Sequence, residues 1–371
     1  MEKLRIRIVG GSLAGLFAGI MLQQAGHDVR IYERSRMGLG GRGAGLVGQN
    51  DLLHILRRIG CDEVARVGVV ARERIYLNHD GSIAQTVRTP QTQISWDVLF
   101  ETVAARIAPG SYLLGQDVVD VIDGDSGAEL VFADGTRESA NLVIGADGLG
   151  SVVRGAVNPT DHRNRYSGYV AWRGLIPEGD LSEAAALLLD RFSFYVRPGV
   201  HVLGYLVPGS RGEMDKGNRR YNWVWYRKVA DRDLPATFTD TKHQTHAFSL
   251  ARGGLSEDRL QGLRDDARQA LPPQFALAVA AEPSPSIQGI FDYEAPRMIG
   301  RSVVLIGDAA FVARPHTAMG VSKAAGDVMA LSDHLARAGD LATALQHYEA
   351  ERIEVGREIA AYGRKLGASA L

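Results

Sequence analysis

Residues 5–15 read Arg5-Ile6-Arg7-Ile8-Val9-Gly10-Gly11-Ser12-Leu13-Ala14-Gly15, a β-branched run that breaks at two glycines and then turns helical. Apolar residues at helical spacing continue to Ala25, Gly26 stops them, and Val29–Tyr32 resumes as a second short strand. A strand, a tight turn, a helix and a strand in roughly thirty residues open a doubly wound parallel sheet. Such a turn leaves the first helical N–H groups free beside the positive end of the helix dipole, which suits a pyrophosphate. Gly10 and Gly15 keep side chains out of its way, whereas Ser12 replaces the second glycine of the usual fingerprint and offers a hydroxyl. Glu33 closes the second strand, where a carboxylate would hold ribose hydroxyls. The plain alternative is a strand–helix turn with a surface glutamate; agreement of context as well as spacing favours a dinucleotide.

Outward from that turn, a glycine-rich segment (38–48) leads to a helix near Asn50–Ile59. Arg74–Asn78 and Ile83–Val87 read as a hairpin across Asp80-Gly81, and Ser95 as the N-cap of a helix reaching about Ala108. Strands follow near Asp117–Ile122, Glu129–Phe132 and Leu142–Gly145. Beyond Arg154 the texture changes: Tyr166–Leu175, Arg191–Val196, His201–Val207 and Tyr221–Arg227 are aromatic-rich extended runs of an antiparallel sheet. The expected fold is α/β, a Rossmann-like domain with a parallel sheet (1–75, 96–165 and 287–340) carrying an inserted antiparallel-sheet lobe (76–95 and 166–286), then a C-terminal helix (341–371). With 371 residues the chain is long enough for two such units.

Composition narrows the function. Lys and Arg number 42 against 43 Asp and Glu, a net charge of −1 without a basic face, so no nucleic-acid partner is expected. A single cysteine, Cys61, excludes an internal disulfide, a thiolate zinc cluster and a CxxC redox pair, and no metal site is expected. No apolar run reaches the roughly 18 residues of a membrane span, and the N-terminal apolar stretch lacks a cleavage signal, so a cytoplasmic protein with no membrane partner is expected.

Two later landmarks share the style of the first. Gly145-Ala146-Asp147-Gly148-Leu149-Gly150-Ser151 taken alone is an ordinary turn with an N-cap. Leu305-Ile306-Gly307-Asp308-Ala309-Ala310 ends a strand in Gly-Asp, and Pro315-His316-Thr317-Ala318-Met319-Gly320 opens a helix beyond it. Asp308 there suits the hydroxyls of a ribityl chain, and the Thr317–Gly320 backbone suits the pyrimidine edge of a flavin. The three landmarks in this order resemble the FAD-dependent aromatic hydroxylases, single-component flavoprotein monooxygenases typified by p-hydroxybenzoate hydroxylase, over residues 5–340. The run Tyr166-x-Gly168-Tyr169-Val170-x-Trp172-Arg173-Gly174, with His201 and Arg314-Pro315-His316, looks closest to the dihydroxypyridine-acting branch and more loosely to the urate-acting one.

The resemblance implies that Gly10, Ser12, Leu13, Gly15, Glu33 and Arg34 hold the ADP half of FAD, with a backbone group near Val118 at the adenine. It places Asp308 at the ribityl chain, lines the flavin ring with Ala318, Met319 and Gly320, and associates Asp147 with both FAD and NAD(P)H. Many relatives carry Arg where this chain has Trp96 and Gly43; Arg42 is the nearest substitute for the second. The implied reaction uses NADH or NADPH and O2, forms a flavin C4a-hydroperoxide, and hydroxylates a small phenolic or N-heteroaromatic substrate in a water-poor pocket. Phe192, Phe194, Trp223 and Trp225 are candidates for its walls, although alternation along a strand consigns some of them to the core. His316 is the candidate base or anion-stabilising group, His201 and Tyr205 share one strand face as further candidates, and Arg173 reads as structural or at the surface. A loop or sheet residue without catalytic role is the competing reading for each. The family resemblance also implies a homodimer. A dehydrogenase or reductase of the same fold, and a non-catalytic FAD-binding module, are the alternatives.

Overall fold

The computed structural model describes residues 2–41 and 45–370. Its centre is a five-stranded sheet in the order Val303–Leu305, Leu142–Gly145, Arg5–Val9, Asp28–Glu33, Tyr112–Leu114, parallel throughout. Such a sheet is covered on both faces, which is why its strands are continuously apolar. Ile6, Ile8, Ile31, Val143, Ile144 and Val304 are fully buried, and the helix Leu13–Gln24 packs on the sheet beside the later helix Gly320–Arg337. The Gly10 turn is as tight as its sequence suggests. Gly10 has φ +103, and a Cβ there would lie 2.4 Å from the Ala146 carbonyl oxygen; one on Gly15 would lie 2.0 Å from the Gly10 oxygen. The first two landmarks therefore converge, because Gly10 and Ala146 touch at the ends of adjacent strands.

An eight-stranded sheet forms the second layer, in the order Ser249–Leu250, Ser286–Asp292, Arg165–Pro177, Arg220–Lys228, Val200–Val207, Phe192–Arg197, Arg74–Leu77, Ile83–Val87. The 74–87 hairpin forms as expected and adds to this sheet through a parallel pairing of Phe192–Phe194 with Arg74–Tyr76. Gln91–Ser95 does not continue it; that strand pairs with Gly45–Val47 and Gly68–Ala71 in a small separate sheet. Ser95 caps the next helix, its hydroxyl accepting the Val98 amide at 3.4 Å. The helix stops at Ala104, short of the expected Ala108, as Pro109 approaches and disfavours helical backbone before it. The last helix runs from Leu341 to Ala370.

Alternation sorts the large sheet into two faces. One packs Trp172, Tyr221, Trp223 and Trp225 against Leu263 and Phe275 of the helices Glu257–Ala270 and Pro273–Ala281. Trp223 and Trp225 are therefore core, not pocket walls. The other face carries Tyr169, Ala171, Phe192, Phe194, Leu203, Tyr205, Val224 and Tyr226, and turns toward the dinucleotide-type layer. Among the described residues no helix is long and apolar enough to cross a membrane, and no three His, Cys, Asp or Glu side chains are grouped to hold a metal ion.

Candidate active site

A cleft of about 280 Å3 opens at the carboxyl ends of the parallel strands, where a doubly wound fold binds its ligand. It is lined by Gly10, Gly11, Ser12, Glu33, Arg34, Trp96, Val118 and Asp147. The amides of Ser12, Leu13 and Ala14 make no hydrogen bond among the described residues, and the Ser12 hydroxyl caps nothing. Glu33, only 6% exposed, is fixed by accepting from the Gly11 amide at 3.0 Å and the Ser35 amide at 2.8 Å. Its two oxygens keep lone pairs toward the cleft. Trp96, which lines the cleft, stacks on Phe100. Arg42 lies outside the described residues. Asp147 acts locally. Its carboxylate accepts from the Ser151 hydroxyl at 2.6 Å and the Val152 and Val153 amides at 2.7 and 3.2 Å, capping the next helix.

Deeper in, Gly307 sits at φ +58 and donates its amide to Asp327 at 3.0 Å, which sets the turn that presents Asp308. Among the described residues the Asp308 carboxylate accepts only one long bond, 3.5 Å from the Ala313 amide. Burial raises its pKa, opposed by the nearby Lys323 and Arg154 cations. Such a carboxylate lacks donors. The helix N-terminus beyond it departs from expectation in detail. The amides of Thr317, Ala318 and Met319 are already engaged, by the Arg314 and Pro315 carbonyls and the Thr317 hydroxyl. Ala318 adopts left-handed backbone at φ +53, and the free donors are the amides of Gly320, Val321 and Ser322.

The inner face of the large sheet meets this helix start. The His316 ring stacks on Tyr226 at 4.0 Å between centroids and lies 5.4 Å from that of His201. Burial pushes the His316 pKa down to about 3, helped by His201, Arg314 and Arg173, and that of His201 down to about 4. Both imidazoles are thus neutral. Tyr205 lies on the same strand face as His201 but four residues further along the strand, opposite Asn222; its hydroxyl donates to the Gly45 carbonyl at 3.3 Å and its ring meets Phe192 edge-on. Among the described residues, both nitrogens of His201, Nδ1 of His316, the whole amides of Asn222 and Gln93, and Nε of Arg173 are buried without a hydrogen-bond partner. Native interiors leave few such groups, and a ligand is the ordinary reason for a cluster of them.

The neutral histidines make stability depend on pH. Each ring takes up a proton on unfolding, where its pKa returns toward 6.5. The unfolded chain then binds more protons than the folded one below about pH 6.5, so stability is full above that value and declines as pH falls toward 4. Thermal unfolding between about pH 7 and pH 4 should fall less steeply for the His201→Gln/His316→Gln double variant than for the wild type. Parallel slopes would contradict the assignment.

A family model described as FAD binding domain-like matches residues 166–292, which take in the large sheet apart from its 74–87 hairpin. The 2,6-dihydroxypyridine 3-monooxygenase of Paenarthrobacter nicotinovorans is 32% identical over 358 residues, covering 95% of this chain and 88% of that protein. The chain belongs to the FAD-dependent aromatic hydroxylases. The solved 2,6-dihydroxypyridine-3-hydroxylase from Arthrobacter nicotinovorans superposes with a TM-score of 0.92 at 30% identity, over 100% of this chain and 93% of that one. A 6-hydroxynicotinate 3-monooxygenase of Bordetella bronchiseptica is 27% identical over 95% of this chain and 88% of its own length.

Membership makes FAD the group against which the cleft must be judged, and the residues fit it. Unpartnered amides stand at both helix starts, a fixed carboxylate at the first strand end, and a donor-poor carboxylate between them. Several buried polar residues of this hydroxylase fold escaped sequence reasoning. Arg154 is 1% exposed and donates to the carbonyls of Ala309 at 2.7 Å, Asp308 at 2.5 Å, and Gly148 and Leu149 at 3.1 Å, tying the second landmark to the third. Its only visible sign was its place just after the Asp147 motif. Arg173 is half-buried on the inner face, near enough to Tyr205, Tyr226 and His316 to act on their ionisation, rather than structural or at the surface. Asn222 and Gln93 gave no signal at all, because a polar residue inside a strand is silent until its face is known.

Proposed function

We propose that this hydroxylase lays FAD along the cleft and hydroxylates a hydroxylated N-heteroaromatic ring held against the inner face of the large sheet, using NADH or NADPH and O2. The observation that carries the reading is the group of buried, unpartnered polar atoms on His201, His316, Asn222 and Arg173, set among otherwise apolar walls. A ring bearing nitrogen and oxygen atoms supplies the missing partners; a purely hydrocarbon ring does not. The names of the relatives, which act on dihydroxypyridine and hydroxynicotinate, point the same way.

In this reading the amides of Ser12 and Leu13 hold the pyrophosphate, Glu33 the ribose and Arg34 the neighbouring phosphate side, with the Val118 backbone at the adenine. Asp308 accepts from the ribityl hydroxyls, and the amides of Gly320 to Ser322, flanked by Ala318 and Met319, face the pyrimidine edge. Bound flavin supplies the redox chemistry, taking electrons from a reduced nicotinamide and passing them to dioxygen. The chain's own part is to orient the ring and keep it dry. Phe192, Leu203, Tyr205, Val224 and Tyr226 exclude water, Arg173 supplies positive charge near an anionic ring, and Asn222 and the two histidines fix which ring edge points at the flavin. The division into a dinucleotide-binding domain and an inserted substrate lobe follows the two sheets, and a cytoplasmic homodimer completes the proposal. FAD-loaded protein should oxidise NADH or NADPH faster when 2,6-dihydroxypyridine or 6-hydroxynicotinate is added. Bound FAD with no nicotinamide oxidation under any ring would sink the reading.

A further inference from the structure

His316 is tied into a chain of hydrogen bonds whose polarity is fixed at one end. Asp292 accepts from Nε and an Nη of Arg314, at 2.7 and 2.5 Å. Arg314 donates from its other Nη to the Tyr169 hydroxyl oxygen at 3.1 Å, and that oxygen lies 3.0 Å from Nε2 of His316. A guanidinium only donates, so the Tyr169 oxygen is an acceptor at that contact. The phenolic hydrogen has one remaining partner among the described residues, Nε2 of His316. Were Nε2 to carry a hydrogen instead, the phenol's own hydrogen would be left buried with nowhere to go. The C-terminal helix seals the chain from water: a Cβ on Gly367 would sit 2.6 Å from both the Arg314 Nη and the Tyr169 oxygen, and one on Gly363 only 3.2 Å from Arg314.

With Nε2 accepting, the ring's hydrogen stands on Nδ1, and Nδ1 is buried with no partner among the described residues. The groups that face this ring are Tyr226, stacked on it, His201 beside it, Tyr169 at its edge, and the Arg314 and Arg173 cations; none of them is a carboxylate that would draw a second proton onto it. We infer that His316 is not the base of the reaction but a neutral donor, its Nδ1–H aimed at a ring oxygen of the substrate, with Tyr169, Arg314 and Asp292 as positioning residues that fix this tautomer. The inference rests on the reading that the substrate lies against the inner face of the sheet. It assigns the chemistry of that substrate more narrowly: a ring with an oxygen able to carry negative charge, whose proton does not pass to His316, because Nε2 already accepts from Tyr169 and Nδ1 carries the hydrogen, with the Arg314 and Arg173 cations close by. The donor then stabilises charge where electron density is needed for attack on oxygen.

The test is nitrogen magnetic resonance of FAD-loaded protein labelled at histidine, with His316 assigned by its loss in His316→Gln. The wild type should show a neutral, Nδ1-protonated ring from about pH 6 to pH 8, and Tyr169→Phe a mixture of tautomers with a loss of about tenfold in kcat/KM for hydroxylation and little change in FAD affinity. Saturating 2,6-dihydroxypyridine should move the Nδ1 hydrogen downfield. An imidazolium titrating in that range, or hydrogen on Nε2, overturns the inference whatever the enzyme's activity. An Nδ1 signal unmoved by a ring that the enzyme hydroxylates overturns the donation and leaves the hydroxylase reading intact. If no ring is hydroxylated, the pocket reading falls and this inference with it.

Discussion

Asp308→Ala is expected to yield a folded protein that has largely lost FAD, with the dissociation constant raised about a hundredfold. The carboxylate has a single donor among the described residues, an amide at 3.5 Å, and so stands ready for others. Each hydrogen bond from a ribityl hydroxyl to an ionised carboxylate contributes about 1.5–3 kcal/mol, and every 1.4 kcal/mol is about tenfold in affinity, so two such bonds account for the loss. Burial disfavours the charged form, while Lys323 and Arg154 lend it support. The variant without flavin should therefore melt no lower than the wild type without flavin. Asp308→Asn, which keeps one acceptor oxygen, should fall between the two. Flavin fluorescence titration measures each constant, and an unchanged affinity for Asp308→Ala would remove the residue from the cofactor site.

The second large effect runs in opposite directions for stability and function. Asn222 is fully buried, and neither its amide oxygen nor its nitrogen has a partner among the described residues. An unsatisfied buried polar group costs about 1–3 kcal/mol, and leucine fills much the same volume without that cost. Asn222→Leu should therefore raise the melting temperature while lowering kcat/KM for the ring at least about tenfold, the pattern expected where a site is kept destabilised for its ligand. Calorimetry and steady-state kinetics on the same preparation decide it. A lower melting temperature would mean that the amide is satisfied in the folded protein, and an unchanged kcat/KM that it never meets the substrate.

Much of this architecture is written locally. The Gly10 turn, the 74–87 hairpin, the Ser95 cap and the aromatic strands each announce themselves within a few residues, because turn chemistry, capping and alternation act at short range. The cofactor cleft was legible for the same reason: a strand end, a small-residue turn and a helix start are contiguous in sequence. The substrate face was not. Whether Trp223 or Val224 points inward depends on the register of Arg220–Lys228 against Arg165–Pro177, and a slip of one residue would exchange them. Arg154 and Arg173 act across the fold, through carbonyls and fields that no spacing reveals. His316 was found by position, as a base or an anion-stabilising group, and the sequence could not choose between the two, since the contact with Tyr169 and, through it, Arg314 joins residues far apart in the chain.

The decisive experiment is to run the FAD-loaded protein with NADH or NADPH under isotopically heavy dioxygen and weigh the ring that results. Hydroxylation predicts a product of 2,6-dihydroxypyridine or a related ring bearing one heavy oxygen atom, formed in step with nicotinamide oxidation. Nicotinamide oxidation that yields an altered ring with no heavy oxygen in it would overturn the oxygenase reading, and would mean that this chain uses its flavin to dehydrogenate or reduce rather than to oxygenate.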